Sequence, residues 1–328
     1  MSAIHDGMHP NPEAARALAA RMDRELVASL DHIAGACRDA GLEVPFDRAA
    51  YAAALGAGNS VHPAVYGSHF DLLDAIADSD EGRILNRFAI IASMPQARGL
   101  DPVSLDAATL GADIEAIYRR FIDADAGRPL NLVAPEPDVA AGAAARVAEA
   151  RALMAQAGDF EEEFSAITRQ LVMARHRPGA PHGFGGASTF FLWGALFFNA
   201  HDYFTPLDLA MTLVHESTHG LLFALAMDEP VTLNDKAARY SSPLRDDPRP
   251  MEGIFHATCV IARMHLFLDS VAAAPGVHGE TRERAGELAA ECLPRFSGGH
   301  ETIEAHGELS PTGRRLLDAA TAHMGRAA

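Results

Sequence analysis

From Pro12 to Ala40 apolar residues return every three or four positions, at Leu18, Met22, Leu26, Leu30 and Ile33, with charged and small residues between them. That spacing predicts one long amphipathic helix. The same period recurs over shorter stretches at Phe46–Leu55, His69–Ala77, Glu81–Ala92 and Ala107–Asp125. A proline-rich loop, Pro129 to Pro137, then interrupts it. This loop is the expected boundary between an N-terminal helical region, 1–130, and a second region, 131–328. Two more helices are expected at Val139–Gln156 and Phe160–Ile167. The pattern then changes, because Arg169–His176 and Ser188–Asn199 are compact runs rich in aromatic or β-forming residues and predict two antiparallel strands. Helices at Thr281–Leu293 and Pro311–Met324 close the chain.

One further helical stretch carries chemistry. Thr205 is a good N-cap, Pro206 suits the first helical position, and Asp208 suits the positive end of a helix running to about Met227. Leu209, Leu213, Val214, Leu221, Leu222, Phe223 and Leu225 leave this helix little solvent-facing surface. Yet it contains His215, Glu216 and His219, an HExxH motif. Residues four apart project from one face, so the two imidazoles can hold one ion at about 2.0–2.1 Å each. In zinc peptidases the glutamate of this motif is the general base toward metal-bound water. Burying such groups without partners costs several kcal/mol, and a metal removes that cost. The expected fold is therefore mainly α, of α+β type, with a small antiparallel sheet packed beside a gluzincin-like HExxH helix, and 131–328 is the metal-binding catalytic region.

The third ligand must come from elsewhere, because Leu222 and Leu225 occupy the positions where the metzincin extension has Gly and His. Candidates lie between Tyr240 and His265, where Pro243, Pro248 and Pro250 frame a loop and Pro250 opens an apolar helix to about Leu268. Glu252, His256 and Arg263 form a polar stripe along it. His256 and Glu252 both remain open as ligands. A His₂Glu set suits zinc hydrolysis and also resembles the iron-binding two-histidine, one-carboxylate triad, while a His₃ set is equally competent. Arg245 and Arg249 stand in the same loop. A guanidinium holds a carboxylate bidentately, which suits a small dicarboxylate co-substrate, although Asp246 and Asp247 are alternative partners.

Charge narrows the partners. A net charge of −17 argues against nucleic acid and against anionic membrane surfaces. Three scattered cysteines give neither a disulfide framework nor a CxxC metal site. The N-terminus lacks the pattern of a signal peptide, and the oily run Phe190–Phe198 is far shorter than the about 20 residues a membrane span needs. A cytoplasmic protein is expected.

The paired blocks "LVHESTHGLLFAL" and "SSPLRDDPRPMEGIFHATCVIARMH", with "PVTLND" between them, resemble the HExxH proteins found beside ribosomally made peptide precursors, a family of iron- and 2-oxoglutarate-dependent peptide β-hydroxylases. The resemblance covers residues 188–268. It implies that His215 and His219 bind Fe(II), with His256 as third ligand and Glu252 as the alternative. It further implies that Arg249, with Arg245, holds the distal carboxylate of 2-oxoglutarate. Dioxygen and a precursor peptide would be the other substrates, and Glu216 would orient a ligand or water. The competing expectation is a zinc-dependent gluzincin-type metallopeptidase with Glu216 as its base.

Overall fold

The computed structural model describes residues 5–93, 99–123, 129–177, 184–201, 205–242 and 247–327. The chain is mainly helical with a small mixed sheet. The first periodic stretch forms α1 (Pro12–Asp39), followed by α2 (Arg48–Gly56), α3 (Pro63–Ala77) and α4 (Glu81–Ser93). After β1 (Val103–Ser104), the stretch expected as one helix is two, α5 (Ala107–Leu110) and α6 (Ala112–Ile122). Gly111 between them takes φ 84°, a conformation that breaks a helix and that glycine adopts without strain. There follow β2 (Leu132–Val133), α7 (Pro137–Gln156), α8 (Phe160–Ile167), β3 (Gln170–His176), β4 (Gly186–Ala187) and β5 (Ala195–Asn199). The chain ends in α9 (Pro206–Leu225), α10 (Met251–Ala273), α11 (Gly279–His306) and α12 (Pro311–Ala327).

Contacts divide the chain otherwise than at the proline loop. One unit comprises Met1–Arg16, Ala145–Ala166 and Phe204–Ala328, and the other Ala17–Ala144 and Ile167–Tyr203. The sheet lies wholly in the second of these and the HExxH helix in the first.

In the second unit the strand order is β1-β3-β5-β4, with β2 also pairing β3. The expectation of an antiparallel pair is corrected here: β3 and β5 run parallel, in register from Gln170 opposite Ala195 to Ala174 opposite Asn199. The reason is the long connection, 177–194, which lets the chain return to the end from which it started, as a tight hairpin cannot. The expected strand Ser188–Asn199 is also shorter. Phe190–Leu192 form a 3₁₀ turn capped by Thr189, and Gly194 turns the backbone at φ 89° before β5 begins. All five residues of β5 are buried, with β3 along one side and β4 opposite Phe197 and Phe198 on the other. Tyr118, Phe121, Leu192, Val172 and Phe197 form the core here.

The first unit is built around α10. Its apolar residues Ile254, Phe255 and Val260 pack with Leu222 of α9, Ile303 of α11 and Leu317 of α12. Among the described residues α10 is the one helix long and apolar enough to cross a membrane, but 67% of its most apolar window is buried inside the fold. It is a core helix. Arg263 on α10 is 2% exposed and anchors three segments at once. Its guanidinium pairs with Glu163 of α8 and donates to Thr218 Oγ1 at 3.2 Å and to the Met8 carbonyl at 2.9 Å. Glu163 also bonds His5 Nε2 at 2.6 Å and accepts from the Asn11 amide at 2.8 Å. Burial alone would raise the Glu163 pKa, but Arg263 and His5 outweigh it and hold the carboxyl below its ordinary value.

Candidate metal centre

The HExxH helix starts as its sequence dictates. Thr205 Oγ1 accepts from the Asp208 amide at 3.2 Å, and Pro206 occupies the first turn. Nine positions later His215 comes up on the face that meets α10, with His219 one turn on. Their Nε2 atoms lie 3.3 Å apart. Two nitrogens at that separation, each about 2.1 Å from one ion, subtend about 104° there, close to the tetrahedral angle. Glu216 is buried, with Oε1 3.8 Å from His215 Nε2. Among the described residues, His215, Glu216 and His219 are the group whose ligand-type atoms lie within 4.8 Å of one another.

The opposite ring nitrogens face α10. Met264 Sδ lies 3.4 Å from His215 Nδ1, and His256 Nδ1 lies 3.5 Å from His219 Nδ1. The earlier histidine meets the later α10 residue, so the two helices run antiparallel. A metal on Nε2 leaves the proton on Nδ1, and each such proton here finds an acceptor on α10. Partners of this kind fix the tautomer and the orientation of a ligating imidazole. His256, expected as the third ligand, contacts His219 from behind and not from the side where the two Nε2 atoms converge. The rings of His219 and His256 stack at 14°, and Phe223 closes over both, 6.5 Å from His219 and 5.2 Å from His256.

Electrostatics keeps these rings ready for a cation. Burial, then the neighbouring imidazoles of His215 and His256, holds the His219 pKa well below 6.5, and burial takes His256 to about 4. Neutral imidazole is the form that binds metal.

The remaining candidates sit at the start of α10. Glu252 is exposed on the first turn and stands outside the ligand group. Arg249 precedes the helix, its backbone locked to Tyr240 by two hydrogen bonds of 2.9 Å. Its guanidinium lies over Gly253, whose missing side chain would have come within 3.6 Å of Nε. Among the described residues its carboxylate neighbour is Asp247, whose Oδ2 is 3.9 Å from Nη1, a loose contact. Gly253 is three residues, about 4.5 Å along the axis, from His256. Arg245 lies outside the described residues.

Sequence reasoning did not single out Met264 or Phe223. The signal for Met264 was present: His256, Val260 and Met264 follow one another at four-residue steps, so they continue one stripe of α10. Phe223 likewise stands four residues after His219. No family model matches the chain, and no curated protein matches it.

Proposed function

We propose that this chain is an Fe(II)- and 2-oxoglutarate-dependent hydroxylase, acting on a side-chain β-carbon of a ribosomally synthesised precursor peptide in the cytoplasm. The observations that support the reading are a converging histidine pair, His215 and His219, and a backbone-fixed arginine, Arg249, at the start of the helix that packs on that pair. Arg249 is fixed at its backbone, with its guanidinium lying along α10 within one turn of His256. A peptidase has no need of such a group, whereas a dicarboxylate co-substrate does.

The donor set fits a divalent first-row ion, since two imidazoles converge and a buried carboxylate stands next to them. His215 and His219 would hold the ion. With 2-oxoglutarate it supplies the oxidative decarboxylation, to succinate and carbon dioxide, that drives hydroxylation of a carbon–hydrogen bond by dioxygen. The protein's own contributions are separable. Met264 and His256 hold the ligand rings by their Nδ1 sides, and Phe223 lays apolar surface against His219 and His256. Arg249 binds and orients the distal carboxylate. Glu216 accepts hydrogen bonds from ligands or water at the ion.

A second reading is favoured by one specific observation, the closeness of the Glu216 carboxylate to His215 Nε2 together with the near-tetrahedral spacing of the nitrogens. That is the arrangement of a zinc peptidase with Glu216 as base.

The two separate in one experiment. Anaerobic addition of Fe(II) and 2-oxoglutarate to chelated protein is expected to give the visible charge-transfer band of a chelated α-keto acid, lost in Arg249→Ala. Co-expression with the precursor peptide should add the mass of one oxygen atom and yield succinate. Zinc-supported cleavage of that peptide, indifferent to 2-oxoglutarate and abolished by Glu216→Gln, would establish the peptidase instead.

A further inference from the structure

α10 carries histidines on two opposite faces. Nine residues separate His256 from His265, which at 100° per residue places them half a circumference apart. The His256 face meets α9, and the His265 face meets α12. There His265 Nδ1 lies 2.9 Å from His323 Nε2, with ring centroids 5.0 Å apart. Both residues are buried, at 5% and 8% exposure. The flanking residues Ala262, Ala320 and Met324 belong to an apolar cluster with Met8 and Phe296. Among the described residues, that mutual hydrogen bond is the one either ring makes, so each ring keeps a second nitrogen that no protein group engages. Neither second nitrogen is among the buried polar atoms left without a partner, so each keeps contact with solvent.

Two more ligand-type groups stand next to the pair. The His9 ring lies edge-on to His323 at 6.4 Å, and its side chain is 52% exposed. Asp269 follows His265 by one turn on the same side of α10 and is exposed. We propose that His265, His323 and His9, with Asp269 as fourth group, form a second binding site for a divalent transition cation such as Zn²⁺, separate from the His215–His219 centre. The buried pair is the fixed half of the site, and the two exposed side chains turn onto the ion. Nitrogens 2.9 Å apart subtend about 87° at an ion about 2.1 Å from each, so the pair opens by about half an ångström to reach tetrahedral geometry. Three imidazoles and a carboxylate form a nitrogen-rich set that prefers zinc, copper or nickel to magnesium or calcium. The site does not depend on the reaction proposed for the other face.

Metal stoichiometry tests it. The full chain, stripped by chelator and titrated calorimetrically with Zn²⁺, is expected to bind two ions. His215→Ala should retain one of them, and His215→Ala combined with His323→Ala should retain none. Because His323 is buried, His9→Ala and Asp269→Asn, which alter exposed side chains, serve as the second arm. In the His215→Ala background each should weaken the remaining ion by roughly tenfold to a hundredfold or more, with the circular dichroism spectrum unchanged. If His215→Ala binds no zinc, the histidine pair is a plain hydrogen bond and the proposal fails. It fails equally if the ion retained by His215→Ala is indifferent to His9, Asp269 and His323.

Discussion

Met264 shows how a single atom acts on the candidate centre. A thioether sulfur is a weak acceptor, yet at 3.4 Å from His215 Nδ1 it is placed to receive the proton that metal binding at Nε2 leaves there. It is also flexible and apolar, so it fills the same space without the charge a carboxylate would bring. Leucine matches its volume but accepts nothing, and such swaps in a packed interior cost under about 1.5 kcal/mol. Met264→Leu should therefore leave thermal unfolding nearly unchanged while weakening metal at the HExxH pair by about tenfold. Competition with a chromophoric chelator reads that affinity. An unchanged affinity would reduce Met264 to filler. The same spacing logic explains Arg263, which the sequence placed on the metal-facing stripe. Its partners prove to be Glu163 and Thr218, so its charge is spent on holding the unit together.

At the scale of elements, the close approach of α11 to α10 rests on a glycine. A Cβ at Gly299 would stand 2.2 Å from Thr258 Oγ1, and Thr258 is itself tied to the Ile254 carbonyl at 2.8 Å. Alanine at an exposed helical position gains about 1 kcal/mol over glycine, but overpacking costs about 1–3 kcal/mol, and at this distance the clash wins. Gly299→Ala is expected to lower the urea midpoint, with part of the loss recovered by adding Thr258→Ala. Gly286 on the same helix has nothing within 4 Å, so Gly286→Ala should raise the midpoint, and the opposite signs separate packing from propensity. This helix also marks what sequence could disclose. Its expected end at Leu293 falls just before Pro294, which lacks an amide and crowds the preceding turn. The observed helix runs through Pro294 to His306, because packing of residues such as Ile303 on α10 outweighs one lost bond. Thr205, Pro206 and the HExxH spacing were legible because caps and four-residue periods are local. The direction of β3 and β5 was not, since it depends on the path of the long connection. Nor was the behind-the-ring position of His256, which depends on the register of two helices far apart in sequence.

Across the whole molecule, both units bury histidines that burial keeps neutral. Desolvation lowers His62 in one unit, and His256 and His323 in the other, from 6.5 to about 4. The sign follows from linkage. Above pH 6.5 these rings are neutral in both folded and unfolded chains, so pH is without effect through them. Between 6.5 and about 4 the unfolded chain takes up protons that the folded chain refuses, and stability falls as pH falls. Below about 4 both states are protonated and the loss is complete. For a ring as enclosed as His62 or His256 the loss by pH 5 is about 2 kcal/mol, a large part of the stability of an ordinary domain. Chelated protein should therefore unfold at distinctly lower urea at pH 5 than at pH 7.5, well above the range where carboxylates such as Glu163 are protonated. His62 gives the sharpest check, because its Nδ1 caps α3 by accepting from the Ala64 amide at 3.1 Å. His62→Asn keeps a capping acceptor and removes the titrating ring. It is expected to flatten the dependence between pH 6.5 and 5 by about 2 kcal/mol. A variant whose stability still fell as steeply over that interval would assign the acid sensitivity to other groups. Zn²⁺ or Fe(II) at saturating concentration should stabilise the wild type at pH 7.5 and lose that effect as pH falls, since protons displace an ion from the imidazoles that hold it.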